Sequence, residues 1–282
     1  MLKIALIITG TIRNYKENYF TWKKHLLDLF DVDIFFHTYN IVGYHKDIYN
    51  NTDNIIFNEK EVIDLLKPKK YKIDVFDIKI KEFKDSVKPQ CLRSGSPNPE
   101  FIKAQLYSIY SANLLKIEYE KENDFEYDIV IKIRFDTIFY SDFEISDVVR
   151  IYCDKNIILC GNPKIKSMKY KTACKNCNKI LKKCKEHAPI SDIVFIGKST
   201  SMNFYAEIYN NYDKFIEEMF KATLNKTKNI EEYRDKEYKT GFLYKNIPGS
   251  ECPFPEKILA IYLKDYILLD YSINLDINRR IV

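Results

Sequence analysis

The order of apolar and polar segments predicts a chain that alternates between buried strands and amphipathic helices. Continuous apolar runs, the pattern of strands buried on both faces, occupy 3–8, 32–37, 127–133, 156–160 and 193–196. Apolar residues at helical spacing predict helices over 17–30, 59–67, 99–123, 199–212 and 255–266. Proline residues predict a helix end at Pro68 and a loop over 85–99. Because strands alternate with helices, we predict an α/β fold with a mostly parallel sheet flanked by helices.

The composition is that of a globular protein. The chain has 282 residues, of which 46% are hydrophobic and 30% charged, and this excludes a disordered tail or a fibrous repeat. No stretch reaches ~18 uninterrupted apolar residues, and the apolar run at the N-terminus is too short for a signal peptide. We therefore expect no transmembrane segment, a cytoplasmic location and reduced thiols. With no repeat or linker in view, we predict a single domain over 1–282 with an insertion at 161–190.

The net charge of +5 is concentrated in the predicted insertion. Residues 164–187 include nine lysines and one glutamate, a net charge of +8, so the rest of the chain sums to −3. A patch of this kind suits an anionic acceptor, a membrane surface or a protein partner. A solvated loop is the alternative.

Polar residues follow the first two predicted strands, at the edge where ligands bind in open α/β sheets. The first strand leads into Thr9, Gly10 and Arg13, and the second leads into Thr38. A glycine lets the backbone approach a ligand closely, while hydroxyl and guanidinium groups suit a nucleotide. The spacing is neither a dinucleotide-binding loop nor a P-loop, and an ordinary turn with an exposed arginine remains the alternative. His37, at the end of the second strand, is either a cleft residue or a satisfied core histidine.

The strand over 127–133 ends in a second pair of charged residues. Arg134 and Asp136 stand at positions i and i+2, which point the same way on an extended segment. A carboxylate at a strand end is a candidate ligand for Mn²⁺ or Mg²⁺ that bridges the protein to a diphosphate. A structural ion pair between the two side chains is the alternative, and Arg134 is also a candidate phosphate ligand.

The insertion contains the most distinctive spacing of potential metal ligands in the chain. Cys174, Cys177, Cys184 and His187 form two close pairs of soft or borderline ligands, which suits a closed tetrahedral Zn²⁺ site with a structural role. The spacer of six residues between the pairs is shorter than in common zinc fingers. Unliganded thiols and disulfides are the alternatives.

Five motifs together resemble a group of bacterial and giant-virus glycosyltransferases, some of them described as WavE-like lipopolysaccharide-synthesis proteins. The motifs occur in the same order as in that group and are Thr9-Gly10-x-Ile12-Arg13, Gln105–Ser108 with Ala112–Lys116, Asp128–Asp136, Ser191-Asp192-x4-Gly197 and Pro255-Glu256-x-x-Leu259. The group more often has Gln in place of Thr11 and Pro in place of Phe135. The resemblance covers most of the chain outside 40–98 and 161–188.

The resemblance implies a GT-A-type fold and transfer of a sugar from a nucleoside-diphosphate sugar, with UDP- or GDP-sugars favoured, to a hydroxyl of a glycan or glycoconjugate. It implies a catalytic Mn²⁺ or Mg²⁺, with Arg-x-Asp in place of the Asp-x-Asp metal motif of that fold. The donor would be bordered by residues from the strand ends: Thr9, Gly10, Arg13, Thr38, Arg134 and Asp136. If the protein is viral, the expected location is the host cytoplasm.

Two carboxylates compete for the role of catalytic base. Asp192 would lie near the acceptor, where a carboxylate can take the proton of the attacking hydroxyl, and Glu256 is the competing candidate. The structural alternatives are a turn cap for Asp192 and a first-turn helix residue for Glu256. Two other functions remain open: a zinc-stabilised nucleic-acid-binding protein that uses 164–187, which we consider the less favoured partner class, and a catalytically inactive nucleotide-sugar-binding module.

Overall fold

The computed structural model describes residues 2–42, 57–86, 99–143, 157–161 and 193–214, together with 259, 262–263, 267–271 and 275–277. The described helices are α1 (Tyr15–Trp22), α2 (Glu59–Leu66), α3 (Phe76–Ser86), α4 (Pro99–Glu122) and α5 (Ser199–Ala206). The described strands are β1 (Ile4–Thr9), β2 (Val32–Tyr39), β3 (Lys70–Asp74), β4 (Ile129–Arg134), β5 (Thr137–Phe139), β6 (Ile157–Gly161), β7 (Val194–Gly197), β8 (Ile267–Tyr271) and β9 (Leu275–Ile277).

Seven of these strands form one sheet in the order β3-β2-β1-β4-β7-β6-β8. The pairings of β3 with β2, β2 with β1, β1 with β4 and β6 with β8 are parallel, while β7 is antiparallel to both of its neighbours. The remaining two described strands, β5 and β9, form a small antiparallel sheet. The predicted α/β class with a mostly parallel sheet is therefore confirmed.

The central strands are buried on both faces, as their continuous apolar runs predict. In β1, Ile4, Leu6 and Ile8 belong to one core cluster, whereas Ala5 and Ile7 belong to a second cluster on the opposite face. This separation follows from the two-residue period of a strand, which sends successive side chains to opposite sides. Helices α1 and α2 contribute to the first cluster, and α4 and α5 contribute to the second. The sheet is thus a middle layer covered by helices on each side.

Helix α1 is shorter than the helix predicted over 17–30. It starts at Tyr15, after Asn14 takes a left-handed conformation with φ 45°, and it continues as one π-helical turn over Lys23–Leu27. In that turn the Asp28 amide donates to the Lys23 carbonyl at 2.8 Å, a bond that spans five residues rather than four. The wider turn ends the regular helix before Phe30.

Other predicted boundaries are close to those observed. Helix α2 ends where Lys67 takes a left-handed conformation with φ 47°, directly before Pro68, as predicted. The helix predicted over 199–212 is interrupted at Glu207 and resumes over 208–214. The elements that the pattern did not predict are β3, α3, β5, β8 and β9.

The predicted insertion joins two antiparallel neighbours, β6 and β7. Gly161, the last residue of β6, is paired with Val194, the first residue of β7. The rest of the predicted insertion, and most of the helix predicted over 255–266, lie outside the described residues. Within the part of the chain that the structure describes, no helix is both long and apolar enough to cross a membrane.

A buried polar network connects α4 with the start of α5. The Lys116 ammonium lies 2.9 Å from a Glu120 carboxylate oxygen and donates to the Asn203 side chain at 2.9 Å and to the Ser199 hydroxyl. Glu120 also accepts the Ser199 hydroxyl at 2.8 Å and the Tyr127 amide at 2.9 Å. Burial lowers the pKa of Lys116, although Glu120 acts against that shift. A buried charge of this kind is tolerated because every charged partner is paired.

Removing one partner of this network should destabilise the fold. Lys116→Met leaves Glu120 buried without its cation, so we expect the free energy of unfolding to fall by ~3–5 kcal/mol. The double variant Lys116→Met/Glu120→Gln removes both charges and should regain part of this loss. Urea denaturation of the two variants measures the effect. Lys79→Met, which breaks the more exposed Lys79–Glu82 pair, is the control and should change the midpoint little. Equal shifts for the two lysine variants would contradict the prediction.

Candidate functional site

The C-terminal ends of β2, β1 and β4 lie side by side at one edge of the sheet. Thr9, the last residue of β1, is in register with His37 of β2 on one side and with Arg134 of β4 on the other. Since these three strands are parallel, the segments that follow them emerge at the same edge. The sequence predicted this juxtaposition, and the structure brings together Gly10, Arg13, Arg134 and Asp136, the polar residues described next.

Two hydrogen bonds of its own backbone hold Gly10 in place, and among the described residues it borders open space. Its φ is +95°, a conformation that an L side chain rarely adopts, and a Cβ placed there would meet no atom of the described residues within 4 Å. Its amide donates to the Ser108 hydroxyl at 2.9 Å, and its carbonyl accepts the Thr38 hydroxyl at 2.8 Å. The backbone therefore leaves room for a ligand at this point, while its own polar groups are already engaged inside the protein.

Two arginines surround the carboxylate of Asp136. The Arg134 guanidinium donates through Nε to Oδ1 at 2.8 Å and through Nη2 to Oδ2 at 2.7 Å, a bidentate arrangement. Arg13 approaches the same Oδ2 with its Nη1 at 3.8 Å. The carboxylate side chain is 3% exposed, against 13% for Arg13 and 21% for Arg134. The cluster thus carries two positive charges and one negative charge, and its positive groups are the more accessible ones.

Asn18 holds the two segments of this cluster together. Its side-chain amide donates to the Phe135 carbonyl at 2.7 Å and to the Arg13 carbonyl at 3.3 Å, and the residue is fully buried on α1. The Phe135 amide in turn donates to the Thr9 carbonyl at 3.3 Å. The segment after β1 and the segment after β4 are therefore linked by one side chain. Sequence reasoning missed Asn18, and its only signal was a polar residue four positions before Trp22 on the buried face of a helix.

A second series of hydrogen bonds, which runs from Asp74 through His37 and Ser108, holds Gly10 in place. His37 is fully buried, with Nε2 3.0 Å from an Asp74 carboxylate oxygen and Nδ1 2.9 Å from the Ser108 hydroxyl, which receives the Gly10 amide. Burial lowers the pKa of His37 despite the nearby carboxylate. Burial would raise the pKa of Asp74, but hydrogen bonds from His37, Tyr107 and Lys72 outweigh it and lower that pKa. The ring is therefore neutral at pH 7 and donates from Nε2 to a charged Asp74, while Nδ1 faces the Ser108 hydroxyl, which donates to the His37 carbonyl at 3.1 Å.

The connectivity of Asp74, His37 and Ser108 is that of a nucleophilic triad, but its surroundings are not. Ser108 is fully buried, and its oxygen already accepts the Gly10 amide. A nucleophile needs access to its substrate, so these residues position the Gly10 turn instead. His37 is the satisfied core histidine of the two alternatives that the sequence left open.

The hydroxyls of the two predicted threonines bond to backbone. Thr9 donates to the Ile133 carbonyl at 3.3 Å, and Thr38 donates to the Gly10 carbonyl, and both residues are buried. Each therefore stabilises the edge of the sheet on which the cluster stands. The predicted residues outside the described part of the chain are the candidate bases, Asp192 and Glu256, and the zinc ligands, Cys174, Cys177, Cys184 and His187.

The surroundings of Asp136 do not fit a divalent cation as the side chains stand. Both carboxylate oxygens are engaged by Arg134, and a second guanidinium lies beside them. The described residues include no group of three or more His, Cys, Asp or Glu side chains arranged to hold a metal ion. Mg²⁺ and Mn²⁺ prefer oxygen ligands, whereas two guanidinium groups repel a cation. A metal at this position would have to displace the Arg134 guanidinium from the carboxylate and would then lie beside two positive charges.

Acidification should lower the free energy of unfolding in two steps, first through His37 and then through Asp74. His37 has a pKa below its ordinary 6.5, so the unfolded chain binds more protons than the native protein and stability falls as the pH drops below about 6.5. Asp74 has a pKa below its ordinary 3.8, and its contribution is lost at still lower pH. Urea denaturation between pH 7 and pH 5 should show a decline of at most ~1.4 kcal/mol per pH unit from His37.

His37→Gln is the test of that assignment. The variant should be less stable than the wild type at pH 7 but should lose the part of the decline that His37 causes. An unchanged slope in His37→Gln would show that another group causes the decline.

Comparisons with known proteins gave no assignment for this chain. No protein-family model matches it, and a search of curated proteins gave no match. A proposal about function therefore has to be argued from the geometry at the ends of β1, β2 and β4, together with the motifs that the sequence carries.

Proposed function

We propose that this protein is a glycosyltransferase that transfers a sugar from a nucleoside-diphosphate sugar to a hydroxyl group of a glycan or glycoconjugate. One observation carries the proposal: Arg13 and the Arg134–Asp136 pair, which are more than a hundred positions apart in the sequence, meet at the edge of a parallel sheet beside the open space at Gly10. This is the edge at which open α/β sheets bind their ligands. The order of the five motifs supports the same function.

The chemistry of the transfer requires a base and positive charge from the protein. The acceptor oxygen forms a bond to the anomeric carbon of the sugar, while the bond from that carbon to the β-phosphate oxygen breaks and its electron pair leaves with the nucleoside diphosphate. A base takes the proton of the acceptor hydroxyl, and positive charge stabilises the departing diphosphate. In the proposal, Asp192 is the favoured base, with Glu256 as its competitor. The positive groups at the described site are Arg13 and Arg134.

The open space at Gly10 supports a place for the donor. A donor that approaches this turn would contact backbone without a side chain in between, and the turn is fixed by Ser108 and Thr38. A fixed turn reduces the freedom that is lost when a ligand binds. The same two bonds hold the turn at a set distance from the end of β2 and from the middle of α4.

A panel of sugar nucleotides tests the proposal. Wild-type protein should show a raised melting temperature with one class among UDP-, GDP-, CMP- and dTDP-sugars, because a ligand that binds only the native state stabilises it. The same donor should be consumed, with release of the nucleoside phosphate, once a suitable hydroxyl acceptor is present. A full panel with neither stabilisation nor release, tested with and without Mn²⁺, would contradict the proposed function.

Gly10→Ala is the variant that connects this activity to the described site. The new methyl group would enter the open space and would strain a backbone with φ +95°, so we expect donor affinity to fall by about tenfold or more. Melting without ligand separates the strain from the loss of binding. Lys69→Gln removes a charge that pairs with Asp33, near the N-terminal end of β2, and should leave donor affinity unchanged.

A further inference from the structure

We infer that Arg13 and Arg134 form a metal-independent binding site for the diphosphate group of the donor, and that Asp136 positions the two guanidinium groups instead of holding a metal. The inference rests on the proposed function for the identity of the anion. The motifs imply a metal-dependent enzyme, whereas the contacts around Asp136 favour an anion site without a metal.

The charge of the cluster favours an anion. Arg13 and Arg134 both lie within 4 Å of the Asp136 carboxylate, and the three side chains together carry one net positive charge. A guanidinium does not lose its proton in a protein, so this charge persists across the working pH range. A diphosphate carries at least two negative charges and would be neutralised in part by the cluster alone.

The geometry fixes the arginines before any ligand arrives. The bidentate bond to Asp136 holds the Arg134 plane, and the Asn18 amide holds the Arg13 backbone carbonyl against the segment that follows β4. A planar guanidinium with a fixed orientation matches the oxygen atoms of a phosphate, often through two bonds. In this arrangement Asp136 orients the groups that contact the ligand.

The backbone at Gly10 does not supply hydrogen-bond donors to the diphosphate. In many phosphate sites a glycine-rich turn supplies amide donors, but the Gly10 amide and carbonyl already bond to Ser108 and Thr38. The turn supplies space, and the two arginines supply charge and donors. Asp136 remains 3% exposed and engaged by both guanidinium groups, so the anion would meet the arginines first.

Calorimetry with inorganic pyrophosphate and with UDP or GDP, each in EDTA, tests the inference. Wild-type protein should bind these ligands without a divalent metal, and addition of salt should weaken the binding. Arg13→Gln and Arg134→Gln should each weaken it by about tenfold or more, because each loses charge-assisted hydrogen bonds. Lys69→Gln should bind like the wild type, since its charge pairs with Asp33 and not with a residue of the cluster.

Asp136→Asn distinguishes the two assignments because they predict opposite results. If Asp136 positions the arginines, the variant keeps pyrophosphate binding in EDTA to within about threefold, because loss of a competing negative charge offsets the looser arginines. If Asp136 is a metal ligand, the wild type binds only with Mn²⁺ and the variant loses that binding, which would overturn the inference. Circular dichroism and melting establish that each variant is folded. Arg13→Lys keeps the positive charge but loses the planar guanidinium that can donate two parallel hydrogen bonds, and it provides a milder second variant.

The outcomes also separate the inference from the proposed function. Sugar nucleotides that bind and react only with Mn²⁺ would overturn the metal-independent site and leave the glycosyltransferase in place. Pyrophosphate binding in EDTA that is lost in both arginine variants, without consumption of any sugar nucleotide, would support the anion site and contradict the proposed function. Absence of pyrophosphate and nucleotide binding in EDTA would overturn the inference directly.

Discussion

The candidate site depends on the parallel pairing of β1 with a neighbour on each side. All six residues of β1 are buried, and their alternating side chains contribute to two separate cores. A strand in this position cannot slip by one residue, since a slip would exchange the side chains between the two cores. The register therefore fixes where β1 ends, and it places Thr9 between His37 and Arg134. The segments that carry Gly10, Arg13 and Asp136 start from that alignment.

The edge of the sheet places charged and polar groups next to an apolar interior. His37, Ser108, Asn18 and Asp136 are all buried or nearly so, yet each has partners in the structure. Burial without a partner is costly, so the bonds that satisfy these groups also fix their positions. The stability of the fold and the arrangement of the site are therefore coupled here. A substitution that loosens one of these bonds would affect both.

The sequence predicts the strand ends better than it predicts their contacts. Continuous apolar runs locate β1, β2 and β4, and parallel pairing then brings Gly10, Arg13 and Arg134 to one edge. Asn18 and Asp74 could not be found in this way, because their partners lie far away in the sequence and become neighbours only in three dimensions. β3 was not predicted for a related reason: it is an edge strand of the sheet with no buried residue, so its sequence has no continuous apolar run. The pairing of Asp136 with two arginines likewise depends on side-chain directions that spacing alone does not specify.

The pairing of Gly161 with Val194 has a consequence for how this protein can vary. β6 runs in the same direction as β1 and β4, so the chain leaves the sheet at the edge that carries the arginines and returns to it at the same edge. The two ends of the intervening segment are thus held at neighbouring positions by backbone hydrogen bonds. The entropy of closing a loop between fixed ends grows slowly, by ~0.6 kcal/mol for each doubling of its length. Residues can therefore be added or removed between these two strands at little entropic cost, at the same edge of the sheet as the candidate site.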